Sequence, residues 1–174
     1  LVYPLQKDEN QTKDYVEMKN KKTEHVLKSV EEFSKKKYGV DIFKLESPVN
    51  VNQINDEDLI SYKEMGEIAG RPWVMLSAGA GKIEFKKVLE LAFKAGCSGF
   101  LAGRAIWLDA FNHYPNWDKI QNLLLSSANK YLLEIGLSAE KEALPWYNHK
   151  CYSISGSKFP FQNSNFRHLY KGII

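Results

Sequence analysis

The stretch PWVMLSAGAGKIEFKKVLELAFKAGCSGFLAG (residues 72–103) contains one complete unit of a parallel α/β fold. Its apolar start, PWVMLS, predicts a buried strand over 72–77. Residues 82–95 carry apolar side chains at helical spacing and predict a helix that Gly96 ends. GFLAG (99–103) predicts the next strand. Because strand, helix and strand follow one another, we expect two parallel strands with the helix as their crossover.

The same alternation continues on both sides of this stretch. VDIFKLE (40–46) predicts a further buried strand, and a helix with Thr23 as its N-cap and an end near Gly39 is expected before it. Further helices are predicted over 56–69 and 116–135. Three strand–helix repeats therefore predict an α/β fold with a parallel sheet. The side chains expected on the apolar faces of the helices include Phe33, Ile83, Leu132 and Ile135.

The composition excludes several classes of protein. The chain has 174 residues and a mass of 20.0 kDa, with 44% hydrophobic and 26% charged residues, which is typical of a folded domain. No stretch reaches the roughly 20 apolar residues that span a bilayer, and the start LVYPLQKDEN lacks a signal-peptide pattern. We therefore expect no membrane partner. Cys97 and Cys151 form neither a disulfide framework nor a metal site, and they suit a reducing cytoplasm.

The charge pattern gives no support to nucleic-acid binding. The net charge is +3, and the lysine clusters at 19–22 and 35–37 have acidic residues nearby, which is typical of solvated helix faces. The sequence has neither zinc-finger spacing nor the aromatic signature of RNA-binding modules. None of the four histidines has metal-ligand spacing, and Trp73 and Trp107 are expected to be packing residues.

The two ends of the chain differ from its middle. LVYP (1–4) predicts the end of a strand whose start is missing, which suggests a fragment, and residues 5–20 predict a loop. The tail from Pro145 is rich in Ser, Asn, Phe and Tyr and has no clear period. We therefore divide the chain into a folded part, residues 1–140, and a C-terminal extension, residues 141–174, that is expected to be irregular.

Lys44 is the first candidate for chemistry, because ligands of parallel α/β folds bind at the carboxyl ends of the strands. Strand alternation places Lys44 on one face with Ile42 and Glu46, and Phe43 and Leu45 on the other. Burial disfavours the charged form of a lysine, and a neutral amine can attack a carbonyl to form a Schiff base. A structural lysine paired with Glu46 explains the same residues equally well.

Two glycine-containing turns are candidates for binding an anion. In SAGAG (77–81), backbone N–H groups at the start of a helix suit a phosphate or a sulfonate. In GRA (103–105), Gly103 permits close approach and Arg104 can form paired, charge-assisted hydrogen bonds. Taken alone, the glycines can be explained by the need for a tight turn, and the arginine can be explained by an ion pair at the surface. Their occurrence after two successive strands favours a shared anion site.

Three segments, VDIFKLESPVN, RPWVMLSAGA and AGCSGFLAGRAIW, together resemble the class I tagatose 1,6-bisphosphate aldolase family, which includes the sulfofructose phosphate aldolases. That family has a Lys-hydrophobic-Glu strand, a Leu-Ser-(Ala or Ser)-Gly turn and a Gly-Arg-Ala turn before a Trp. The resemblance covers about residues 1–135 and implies a TIM-type (β/α)8 barrel. Because a whole barrel needs about 250 residues, this chain is expected to hold only the C-terminal half, about strands 5–8.

The resemblance also implies an enzyme, a carbon–carbon lyase that cleaves a phosphorylated ketose to dihydroxyacetone phosphate and an aldehyde. Lys44 matches the imine-forming lysine of the family, while Ser77, Gly79, Gly103 and Arg104 match its phosphate-binding residues. The imine acts as the electron sink, so no metal or other cofactor is implied. Tagatose 1,6-bisphosphate is the expected substrate and a sulfofructose phosphate is the alternative. The catalytic glutamate of the family would lie upstream of LVYP.

Functions of other classes stay open. The chain is alternatively a truncated, non-catalytic phosphosugar-binding protein, because the residues of strands 1–4 are missing from it under this reading. A phosphate-binding barrel isomerase is a third reading, and it has no need of Lys44. Half a barrel has unpaired strand edges, so association with other copies of the chain is also expected.

Overall fold

The computed structural model describes residues 21–152 of the chain. Its strands are β1 (Phe43–Leu45), β2 (Trp73–Leu76) and β3 (Phe100–Leu101). Its α-helices are α1 (Lys22–Ser34), α2 (Leu59–Ala69), α3 (Lys82–Lys94), α4 (Arg104–Phe111), α5 (Trp117–Leu123) and α6 (Asn129–Glu142). A π-helical segment, Leu124–Ala128, joins α5 to α6. Short 3-10 turns lie at Lys36–Tyr38, Val51–Gln53, Asp56–Asp58, Trp146–Asn148 and Lys150–Tyr152.

The three strands form one parallel sheet in the order β1-β2-β3. Lys44 lies opposite Val74, and Leu76 lies opposite Leu101. Helix α2 connects β1 to β2, and α3 connects β2 to β3. The predicted α/β fold with parallel strands is confirmed, and the carboxyl ends of all three strands lie along the same edge of the sheet.

One face of the sheet forms the core together with α1, α2 and α3. Phe43 and Leu45 on β1 are buried there, as are Trp73 and Met75 on β2. Each such side chain contributes about 1.5–3 kcal/mol when it leaves water. The helices supply Val26, Val30, Tyr62, Met65, Phe85 and Val88 to the same cluster. The alternation of apolar side chains along the strands thus selects the face on which the helices pack.

The described residues leave the other face of the sheet open. Lys44 is exposed there, Val74 and Leu76 are half-buried, and 48% of Leu101 is exposed. Parallel sheets are normally covered on both faces. The open face therefore carries apolar side chains that further protein or a ligand can cover.

Helix α1 differs from its expected limits at both ends. Its N-cap is Lys21, without a side-chain capping bond, so the prediction of Thr23 as N-cap was wrong and Thr23 lies inside the first turn. The α-helix ends at Ser34, and a separate 3-10 turn leads to Gly39 at φ 61°. Phe33, expected on the apolar face of the helix, is 39% exposed, and its ring contacts that of Tyr38 at the surface with 4.9 Å between centroids.

The long C-terminal helix runs further than predicted, to Glu142. Its apolar face also differs, because Tyr131 is buried while Leu132 is 43% exposed. The π-helical segment Leu124–Ala128 has wider turns than an α-helix, so the residues after it project at a different angle from the predicted one. Ile135 is buried as expected.

Several predictions concern residues outside the described part of the chain. The strand expected at 1–4, the loop expected at 5–20 and the tail from residue 153 onward belong to this group. Within residues 21–152, no helix has the length and apolar character needed to cross a membrane.

Candidate functional site

An open cleft of about 550 Å³ lies at the carboxyl ends of the three strands. All five residues proposed from the sequence contribute to its wall, although they come from three separate segments of the chain. The lining residues are Lys44, Leu76, Ser77, Ala78, Gly79, Leu101, Ala102, Gly103, Arg104 and Trp107. The fold therefore brings together an amine and two glycine-containing turns, as expected for a site at this edge of a parallel sheet.

The turn after β2 is a tight loop with an unusual backbone. The carbonyl oxygen of Ser77 accepts a hydrogen bond from the N–H of Ala80 at 2.8 Å, and the N–H of Ser77 donates to Leu101 at 3.3 Å. Ala78 has φ 46° and Gly79 has φ 84°, so two consecutive residues occupy the left-handed region. A non-glycine residue there costs about 1–3 kcal/mol, and such strain concentrates at binding sites. The strain at Ala78 is the kind of signal that sequence inspection misses.

The turns after β2 and β3 lie against each other through Arg104 and Gly79. A Cβ built on Gly79 would stand 3.1 Å from Nη2 and 3.3 Å from Cζ of Arg104. The guanidinium of Arg104 thus packs directly against the backbone of Gly79, where no side chain prevents the contact. Guanidinium donors beside a glycine-containing turn suit the several oxygens of a phosphate or sulfonate group.

One helix begins in the wall of this cleft, and another begins three residues after Gly79, which lines it. Helix α3 starts at Lys82 after the cap Gly81, and α4 starts at Arg104 after the cap Gly103. The carbonyl oxygen of Gly103 accepts from the N–H groups of Ile106 (2.8 Å) and Trp107 (3.3 Å). Helix N-termini carry a partial positive charge and N–H groups without partners in the helix, which favour an anion.

Lys44 lines the cleft, but its expected burial is wrong. The side chain is exposed, whereas its neighbours Phe43 and Leu45 are buried. The physical reason is that the helices cover only the face of the sheet on which Phe43 and Leu45 lie. The amine is therefore placed toward the two turns without the apolar surroundings that the strand pattern suggested.

Glu46 occupies a different environment from Lys44. Strand β1 ends at Leu45, so the strand alternation of side chains that we had extended to Glu46 does not apply there. Glu46 is buried, whereas Lys44 is exposed. Its Oε2 lies 4.0 Å from Nζ of Lys22, which is buried as well and begins helix α1. Buried charges need a partner of opposite sign because leaving water is costly. This pair connects α1 to the end of β1.

The residue after Glu46 fixes the loop that leaves β1. The Ser47 hydroxyl lies 2.7 Å from the Tyr62 hydroxyl and donates to the carbonyl oxygen of Val49 at 2.9 Å. Both side chains are buried, and burial raises the pKa of the Tyr62 phenol. These bonds hold the chain next to Lys44 against α2, so the position of the lysine backbone is well defined.

Trp107 lines the cleft, which our interpretation of the sequence did not anticipate. Trp73 is buried as expected for a packing residue, but 39% of Trp107 is exposed and the side chain lines the cleft. The spacing of the sequence could have indicated this position. Arg104 and Trp107 are three positions apart on one helix and therefore share a face.

Elsewhere in residues 21–152 no group of three or more His, Cys, Asp or Glu side chains is arranged to hold a metal ion. His149 is buried near the amino ends of the strands, in a cavity that Trp73 and Lys150 also line. Burial lowers the pKa of its imidazole, and the charges of Lys150 and Arg71 act in the same direction.

Comparison with known proteins connects this cleft to a family of enzymes. Residues 2–109 match the family model described as DeoC/LacD family aldolase. The tagatose 1,6-diphosphate aldolase of Listeria monocytogenes serotype 4a is 28% identical over 162 residues, which are 84% of this chain and 47% of that protein. Tagatose 1,6-diphosphate aldolase 1 of Enterococcus faecalis is 34% identical over 121 residues, 63% of this chain and 36% of that protein. The chain spans about half the length of the curated relatives it matches.

Proposed function

Because the chain belongs to the DeoC/LacD family of aldolases, we propose that it performs the carbon–carbon cleavage of a phosphorylated ketose through an imine on Lys44. The observation that carries the proposal is the shared cleft, in which Lys44 faces Ser77, Gly79, Gly103 and Arg104. An amine and an anion-binding turn at one edge of a parallel sheet match the two ends of a ketose phosphate, its carbonyl and its phosphate.

In the proposed reaction, Nζ of Lys44 attacks the ketone carbon and water leaves, which forms a protonated imine. The bond between the next two carbons, C3 and C4, then breaks; its electron pair moves toward the imine and forms an enamine, and the aldehyde is released. The hydroxyl proton of the departing aldehyde passes to a base, which the family resemblance assigns to a glutamate upstream of residues 1–4. Protonation of the enamine and hydrolysis then release dihydroxyacetone phosphate and restore the amine.

Attack on the carbonyl requires the neutral amine, and desolvation favours the neutral form of a lysine in general. The described residues leave one side of the cleft open. We therefore propose that the open side is covered when substrate binds. The relatives are about twice as long as this chain, and we propose that protein corresponding to their additional length also covers this side. In the same proposal, residues 1–140 correspond to the C-terminal half of a (β/α)8 barrel and residues 141–174 to an extension.

We assign the phosphate of the substrate to the two turns. Arg104 supplies charged donors, and the turns at Ser77, Gly79 and Gly103 line the cleft, where the two glycines let an anion approach the backbone closely. The names of the relatives favour tagatose 1,6-bisphosphate as the ketose. A sulfofructose phosphate is the alternative within the same chemistry, since a sulfonate offers a similar set of oxygens. We also propose a cytoplasmic location and association between copies through the open strand edges.

The exposure of Lys44 favours a second candidate function, a phosphosugar-binding protein without turnover. Such a protein would retain the anion site of Arg104 and the two turns but would not form the imine. Only the catalytic function requires a covalent bond between Lys44 and the ligand. An experiment that traps this bond therefore distinguishes the two functions.

The experiment is reductive trapping. The chain is incubated with dihydroxyacetone phosphate and borohydride, digested, and examined by mass spectrometry. The imine proposal expects an adduct on the peptide that contains Lys44 and none in the Lys44→Arg variant. An unlabelled Lys44 peptide, or labelling elsewhere, refutes the imine proposal, and phosphate binding without trapping supports the non-catalytic function.

A further inference from the structure

We propose that the indole N–H of Trp107 is an additional hydrogen-bond donor to the anionic group in the cleft and that it contributes to selection of phosphorylated over neutral ligands. The inference rests on the proposed function for the identity of the cleft, and it adds a residue that our interpretation of the sequence had assigned to packing. Three observations support it: the position of the indole, the lack of a partner for its N–H, and the contact that holds the ring.

The indole nitrogen lies beside the turn that follows β3. A Cβ built on Gly103 would stand 3.6 Å from Nε1 of Trp107. Trp107 lies one turn along helix α4 from Arg104, so both side chains leave the helix on the same side and both line the cleft. An oxyanion held by Arg104 and the Gly103 backbone is therefore within reach of the indole edge.

Within residues 21–152 the N–H of this indole has no hydrogen-bond acceptor, and 39% of Trp107 is exposed. Tryptophan N–H groups at binding surfaces usually find an acceptor when a partner covers them. The nearby groups on the cleft wall, Arg104 and the helix start at Gly103, favour negative charge. A phosphate or sulfonate oxygen is thus the acceptor that fits the surroundings.

The ring is held in place by its own helix. Trp107 and Phe111 form an edge-to-face pair with 5.5 Å between centroids and an interplanar angle of 79°. Such pairs favour one orientation of the ring, and a side chain that is already ordered loses less entropy when a ligand binds. The donor is therefore preorganised beside the anion-binding turn.

The test compares Trp107→Phe with Trp117→Phe, a matched substitution in an indole that is 62% exposed, pairs with Tyr114 and is not among the lining residues of the cleft. Calorimetric titration with dihydroxyacetone phosphate is expected to show an affinity loss of about ten-fold for Trp107→Phe, as for a hydrogen bond to a charged group, and none for Trp117→Phe. Equal affinities for Trp107→Phe and the unchanged chain overturn the inference.

A second measurement needs no variant in the titrated protein. In a ¹H–¹⁵N spectrum, inorganic phosphate is expected to shift the indole resonance of Trp107, identified by its loss in Trp107→Phe, and to leave that of Trp117 in place. Methanesulfonate in a parallel titration separates a sulfonate from a phosphate preference. A Trp107 resonance that moves with neither anion overturns the inference. A shift with phosphate but no trapping on Lys44 keeps the role of Trp107 and refutes only the imine proposal.

Discussion

The guanidinium of Arg104 rests against the backbone of Gly79, so closely that a Cβ at Gly79 would stand 3.1 Å from Nη2. Gly79 follows β2 and Arg104 follows β3, so this contact joins two turns that are 25 positions apart in the chain. The absence of a side chain at Gly79 sets how far the guanidinium can enter the cleft. The contact makes a specific prediction about substitution.

Gly79→Ala is expected to displace Arg104 and to lower the affinity for inorganic phosphate. The backbone strain of an alanine at φ 84° costs a further 1–2 kcal/mol, about the value known for the left-handed region. Gly70→Ala is the control, because Gly70 also has a positive φ, 58°, but the nearest atom to its built Cβ is 3.9 Å away and belongs to the backbone of Glu67. Both variants should lose stability in urea titration, and only Gly79→Ala should lose affinity. Equal affinities in the two variants would contradict the role of the contact.

Lys44→Ala is expected to abolish trapping and to reduce any cleavage by on the order of 10⁴-fold or more, because no other group replaces a covalent nucleophile. Phosphate binding at Arg104 should persist in this variant. The control is Lys87→Ala, which removes an exposed lysine on α3 that does not line the cleft. An isomerase that only binds phosphate would keep its activity in Lys44→Ala, and that result would contradict the lyase assignment.

Phe85→Ala is expected to destabilise the chain by about 3–5 kcal/mol, the range for truncation of a fully buried aromatic ring. Phe85 is 0% exposed and forms an edge-to-face pair with Phe100 on β3, 6.3 Å between centroids. Ile83→Ala on the same helix is the control, because Ile83 is 70% exposed and should change stability by less than about 0.5 kcal/mol. Chemical denaturation followed by circular dichroism measures both, and comparable losses would contradict the assigned core.

Cys97 is expected to resist alkylation by iodoacetamide at pH 8, while the half-buried Cys151 reacts. Burial raises the pKa of the Cys97 thiol to about 12, and its Sγ lies 3.0 Å from the carbonyl oxygen of Gly99. Peptide mass mapping of the folded chain measures the two rates. Labelling of Cys97 as fast as Cys151 would show that the β2–α3 core is open.

The Cys97 thiol also makes the free energy of unfolding decrease with pH in the alkaline range. The ordinary pKa of a thiol is about 9, and burial raises that of Cys97 to about 12, so between these two values the folded state keeps the Cys97 proton and the unfolded state loses it. Below pH 9 the free energy of unfolding keeps the full contribution of Cys97. As the pH rises from 9 toward 12, this contribution is lost, and the free energy of unfolding falls by about 1.4 kcal/mol per pH unit. Cys97→Ala should remove this part of the slope in denaturation curves recorded between pH 9 and 11, and an unchanged slope would refute it.

Much of the fold was predictable because its signals are local. The apolar runs around Phe43 and Trp73, the helical spacing around Phe85 and the glycines at the turns mark three strands and their crossovers. The carboxyl ends of parallel strands meet at one edge, so Lys44, Ser77 and Arg104 were expected to approach each other, and they line one cleft.

The remaining features depend on contacts that local patterns do not contain. Whether Lys44 is buried depends on what covers its face of the sheet, and no described helix does. The burial of Tyr131 in place of Leu132 follows from a π-helical turn that a regular period does not anticipate. Trp107 was expected to pack, because an aromatic residue in an apolar helix usually does so, but its helix has one face at the cleft.

The strand register has a consequence for the length of the side chain that is needed at position 44. Lys44 is level with Val74, and Ser77 lies three positions further along the same direction, which is about 10 Å for extended chain. The hydrogen-bonded ladder fixes this backbone offset, so the flexible four-carbon side chain of Lys44 has to bridge it to bring the amine toward the two turns. A side chain shorter than lysine at position 44 would leave this offset unbridged, whatever its chemical group.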